Sequence, residues 1–102
     1  MTNFEINKVG PEALQIDFVK PYSGNITDEI KSVLDNMGAV HESDHHNTYT
    51  WEYFSWYSSP FGKFTLTDYN GNYSLYTQGN NELIDRIAAA LEDSGLFKQV
   101  SQ

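Results

Sequence analysis

The dipeptide Asn70-Gly71 constrains this chain more than any other feature. It sits between two runs of period two, Lys63 to Asp68 and Tyr73 to Gln78. A two-residue loop joining antiparallel strands needs positive φ at both positions, and Asn-Gly adopts that conformation at low cost. The loop fixes a register in which Leu66 faces Leu75, Thr65 faces Tyr76 and Phe64 faces Thr77. Because side chains alternate along a strand, Phe64, Leu66, Tyr73 and Leu75 share one face. Thr65, Thr67, Ser74 and Tyr76 share the other.

The rest of the chain is read outward from this hairpin. Near the start, Phe4 and Ile6 alternate with polar residues, Gly10-Pro11 interrupts, and Leu14, Ile16 and Phe18 resume the alternation. This predicts two short strands, closed off by Pro21 and the Tyr22-Ser23-Gly24-Asn25 cluster. Ile30, Val33, Leu34 and Met37 then fall at helical spacing. Asn25 or Thr27 is placed to cap that helix, Asp28 and Glu29 sit where its dipole favours negative charge, and Gly38 is placed to end it. A polar, His-rich connection is expected over 39–48, with strand character only at Ala39-Val40. A strand is predicted from about Thr48 to Tyr57 on its β-branched and aromatic content. A second helix is predicted from Asn80 or Asn81, with Leu83, Ile84, Ile87 and Leu91 as its stripe and Gly95 as its stop. Leu96 to Val100 is expected as a short final edge strand or a docked tail. The helix followed by Gly-Leu-Phe-Lys-Gln-Val resembles the end of ferredoxin-like domains, a resemblance confined to under a fifth of the chain. The expected architecture is a single α+β domain over 1–102. It has an antiparallel sheet of about five strands and two helices packed on one face, in the order ββ-α-βββ-α with the short last strand optional.

The stretch Trp51-Glu52-Tyr53-Phe54-Ser55-Trp56-Tyr57 puts rings on both sides of a strand, more than one core face requires. The turn after it is looser than Asn70-Gly71. With Trp56 set opposite Phe64, Phe54 and Trp56 look toward the helices. Trp51, Tyr53, Ser55 and Tyr57 then join Tyr76 on the open face, and Glu52 falls opposite Asp68. An open face rich in Trp, Tyr, Ser and Thr has the composition of adaptable binding surfaces.

Charge narrows the function classes. The chain has 6 basic and 14 acidic residues, a net of −8. Nucleic-acid and anionic-lipid binders depend on Lys and Arg, so neither class is expected. Between Asn25 and Ser55 stand Asp28, Glu29, Asp35, Glu42, Asp44 and Glu52 against Lys31 alone, a field that favours a basic partner. With no cysteine there is no disulfide framework and no thiolate metal site. No signal peptide and no membrane span are read, and a cytoplasmic location is expected.

Candidate chemistry is sparse. His41, His45 and His46 are weak metal candidates in a segment with no helical stripe to gather them. The serines lack a nucleophile elbow and there is no phosphate loop, so no catalytic residue and no cofactor are assigned. The expectation is a small acidic, non-enzymatic module that binds a protein bearing a basic patch. Its contacts would be Trp51, Tyr53, Tyr57 and Tyr76, with Glu42 and Asp44 as acidic partners. Bacterial immunity proteins and phage-encoded inhibitors are of this physical type. The alternatives are a small-ligand or metal-binding domain and a homodimer that buries the aromatic face against itself.

Overall fold

The computed structural model describes residues 1–100. The chain runs β1 (Thr2–Lys8), β2 (Leu14–Val19), α1 (Ile26–Asn36), β3 (Val40–Asn47), β4 (Glu52–Ser59), β5 (Gly62–Tyr69), β6 (Asn72–Tyr76), α2 (Asn81–Asp93) and β7 (Phe97–Gln99). The strands form one sheet in the order β3-β4-β5-β6-β2-β1-β7. All neighbours are antiparallel except β1 and β7, which run parallel. The α+β class is as expected, but the sheet has seven strands rather than about five, and it is mixed.

The local signals explain both helices. The Asn25 side chain accepts the Asp28 N–H, and Asn80 accepts the Leu83 N–H, so each helix starts on an asparagine cap. The stripes Ile30, Val33, Leu34 and Leu83, Ile84, Ile87, Leu91 are buried in one cluster with Phe4, Ile16, Phe18, Leu66, Leu75 and Phe97. Asn70 and Gly71 both have positive φ, and the predicted register holds, with Thr65 opposite Tyr76 and Leu66 opposite Leu75. Among the described residues no helix is long and apolar enough to cross a membrane.

The structure departs from the expected architecture at two further places. The His-rich segment is strand β3, not a connection. Six of its eight residues are exposed and it lies at the sheet edge, so no core selects alternate positions and its sequence carries no alternation. The predicted strand over 48–57 accordingly starts later, at Glu52, and Thr48 to Trp51 form the connection between β3 and β4.

The second correction is one of register. The loop between β4 and β5 is the two residues Pro60-Phe61, with Ser59 opposite Gly62, so Tyr57 and not Trp56 lies opposite Phe64. Gly62, at φ 132°, makes the tight closure accessible, and the Ser59 hydroxyl donates to the Gly62 carbonyl at 2.8 Å. A slip of one residue exchanges the faces of an entire strand. Tyr53, Ser55 and Tyr57 therefore lie on the helix side, and Phe54 and Trp56 on the far side. Tyr57 is 4% exposed and stacks on Phe64 with ring centres 5.3 Å apart. It is a core residue, which removes it from any contact surface.

Candidate functional site

The helices cover β4 at Tyr57 but stop short of Tyr53, two residues of the same face away, which is 51% exposed. Beyond that limit the outer strand pair β3 and β4 forms a ribbon at the sheet edge, with β4 still paired to β5 along its length, and both sides of this ribbon meet solvent. The reason is local. β3 offers polar residues to either side and gives the helix layer no apolar surface to extend over.

On the helix side, His46 lies opposite Tyr53, and their rings stack at 4.0 Å with planes 4° apart. Trp51 approaches the same imidazole at 5.9 Å. Farther along, His41 Nε2 and Asp44 Oδ1 are 2.7 Å apart, and the Ser55 hydroxyl donates to the same carboxylate oxygen at 2.7 Å. These bonds, His41 first and Ser55 second, hold the Asp44 carboxyl below its usual pKa. The three residues do not form a hydrolytic triad. There the imidazole stands between hydroxyl and carboxylate; here the carboxylate stands between, and no imidazole faces the serine. Lys31 of α1 lines a groove of about 330 Å³ together with His41, Asp44, His46, Tyr53 and Ser55, and His45 and Phe54 also border it.

On the far side, Phe54 and Trp56 stack with centres 6.1 Å apart, and His45 sits 6.2 and 6.3 Å from them. Trp56 continues across the sheet through Thr65 to Tyr76. A cleft of about 310 Å³ here is lined by Glu42, Trp56, Lys63, Thr65, Tyr76 and Gln78. Beyond it the face turns polar. The Asp17 carboxylate accepts hydrogen bonds from Asn7, Gln15 and Ser74 at 2.5, 2.7 and 2.6 Å.

The predicted contact residues are thus divided. Tyr76 lies on the far side with Trp56. Tyr53 and Asp44 lie on the helix side, Trp51 closes the connection between the strands, and Glu42 sits at the bulge between His41 and Ser43. Glu52 and Asp68 do not face each other, since Asp68 lies opposite Tyr53 and Glu52 opposite Tyr69. His45 is on the other side of the sheet from His46. Among the described residues no group of three or more His, Cys, Asp or Glu side chains converges as a metal would require. Phe54, Trp56 and Lys31 are site residues that sequence reasoning did not assign, and His45 was weighed there only as a weak metal candidate. The signal that would have placed Phe54 and Trp56 was the Pro-Phe-Gly turn, read as a two-residue loop. The chain matches no family model, no curated protein and no solved structure.

Proposed function

We propose that the protein is a small protein-binding module, of the inhibitor or immunity kind, that docks a basic partner through the β3–β4 ribbon. The observation that carries this reading is the exposure of rings on both sides of one edge ribbon. Trp51 and Tyr53 are 64% and 51% exposed, and Trp56 on the far side is 38% exposed. Both clefts fall at the lower end of the roughly 300–1,000 Å³ that small-ligand sites occupy. A single small molecule would also touch only one side of the ribbon, whereas a protein that wraps the edge touches both. Glu42, Asp44 and Glu52 on or beside the same ribbon supply the field that steers a positive surface to it. Rigid aromatic anchors in such a field are the residue types that dominate binding energy.

The test is affinity capture from source cells with the intact chain and with Trp56→Ala and Tyr53→Ala variants, at low and high salt. Glu92→Ala, on the exposed side of α2, serves as the control. A basic protein held by the intact chain and the control, lost with both ribbon variants and weakened by salt, supports the proposal. A partner held equally by all four would place the docking surface elsewhere.

A further inference from the structure

The two clefts described above each already contain an amine, Lys63 in one and Lys31 in the other. A third concavity does not. It has a volume of about 220 Å³ and is lined by Trp51, Tyr53, Asp68, Asn70 and Gly71. Tyr53 lies directly opposite Asp68. His46 stacks on one face of its ring, and the ring also lines this notch. Asp68 Oδ1 accepts the Gly71 N–H at 2.8 Å, and no described side chain donates to its other oxygen. Lys20, the amine near the turn, lies outside the lining. Its Nζ would be 3.6 Å from a Cβ placed on Gly71 and stands over the Tyr22 ring. Among the described residues it makes no ion pair.

A second observation bears on the same notch. Trp51 has φ 59°, a left-handed conformation that is an outlier for so bulky a side chain. The conformation leaves most of the indole in solvent, so burial does not offset the strain. Strain without a packing return is a mark of a functional position.

We infer that the Trp51–Tyr53–Asp68 notch receives an arginine side chain of a basic partner protein. The guanidinium plane stacks on the two rings while its N–H groups reach the open oxygen of Asp68 and the carbonyls of the Asn70-Gly71 turn. Arginine suits the notch better than lysine because its planar fork stacks and donates in the same pose. The chain makes this kind of contact internally, with Arg86 seated 4.2 Å over the Phe61 ring. This assignment rests on the ribbon-docking reading and names the side chain that the ribbon would grip.

The experiment titrates the intact chain with N-acetyl-arginine methylamide and follows the two indole N–H resonances by NMR. N-acetyl-glycine methylamide at matched ionic strength is the control. The Trp51 indole is expected to move saturably while that of Trp56 does not. Asp68→Asn is expected to weaken the binding roughly three- to tenfold. Its amide oxygen can still accept the Gly71 N–H, and a dispersed spectrum verifies its fold. Tyr53→Leu should weaken the binding further. No saturable movement of Trp51, or equal movement with the glycine derivative or in Asp68→Asn, overturns the assignment. That failure would leave the ribbon-docking reading intact, because capture of a partner and its loss in Trp56→Ala are scored separately.

Discussion

Tyr53 and Tyr57 are the same residue type on the same side of one strand, yet their removal should have very different consequences. Tyr57→Ala deletes a ring that is 4% exposed and stacked on Phe64. An aromatic side chain buries about 150–250 Å², worth about 4–6 kcal/mol at roughly 25 cal/mol per Å² as an upper bound. The alanine side chain and partial collapse return some of this, so a loss of about 3–4 kcal/mol is expected. That is a large fraction of the roughly 5–15 kcal/mol by which domains are stable. Tyr53→Ala removes a half-exposed ring whose place water can take, so no cavity is left. Its stack on His46 sets the loss at about 1 kcal/mol. Urea unfolding followed by far-ultraviolet dichroism measures both. At about 4–8 °C per kcal/mol, the melting points should fall by at least about 12 °C for Tyr57→Ala and by about 4–8 °C for Tyr53→Ala. Unchanged m-values would show that the unfolded state is not responsible. A loss below about 1.5 kcal/mol for Tyr57→Ala, or equal losses for the two, would refute both the register of β4 and the limit of helix cover.

The other expectations concern single positions. Trp51→Asn should relieve a left-handed strain of about 1 kcal/mol and lose a contact with His46 worth about 0.5 kcal/mol. The melting point should therefore rise by about 2–4 °C; a destabilised variant would show that the indole is held by packing. Asp44, with its pKa lowered by His41 and Ser55, stabilises the fold above its unfolded value of about 4, and that contribution is lost as pH falls through the lower folded value. Urea midpoints between pH 5 and 2 should decline less steeply for Asp44→Asn than for the parent chain, and parallel curves would count against the carboxylate's role. Tyr57 is shifted the other way: burial first, then Asp44 and Asp35, push its phenol up. Its contribution is present below pH 10 and lost as pH climbs through the folded value, so Tyr57→Phe should resist alkaline unfolding better in a pH titration of dichroism. Gly62→Ala would place a Cβ 2.9 Å from Asn80 Nδ2 at φ 132°. The displaced α2 cap and the positive φ together should cost about 1–3 kcal/mol in urea melts, and an Asn80→Ala background should remove only the cap's share.

Where the helix layer covers the sheet, the sequence was legible. Ile16, Leu66 and Leu75 are buried, so their period is enforced, and Asn70-Gly71 gave the register of β5 and β6 because its geometry admits few alternatives. The cap of α1, narrowed to Asn25 or Thr27, the start of α2 at Asn80 or Asn81 and the stops at Gly38 and Gly95 were readable for the same reason, each being a local backbone requirement that few residues meet. Legibility ended at the Pro60-Phe61 loop, where several loop lengths are compatible with the sequence and one residue decides which rings are core. It failed again along β3, whose side chains are mostly in water and answer to no packing constraint.

These failures fall on the ribbon that is also the candidate site, and one physical cause accounts for both. A strand that must satisfy a core announces itself by alternation. A strand whose two sides stay open is free to carry His, Glu, Asp and aromatic residues in whatever order another surface demands. Loss of local consistency is expected at functional positions, and an edge strand left unpaired normally carries some guard against self-association. Here the guard is the charge of Glu42 and Asp44 and the bulge between His41 and Ser43. Pairing two copies of this edge would bring like charges together, whereas a segment bearing arginine or lysine would not meet that repulsion. The guard therefore discriminates by sign. An edge protected by proline would exclude every partner alike, whereas one protected by carboxylates repels a second copy of itself and, on the docking reading proposed above, admits a basic strand or loop.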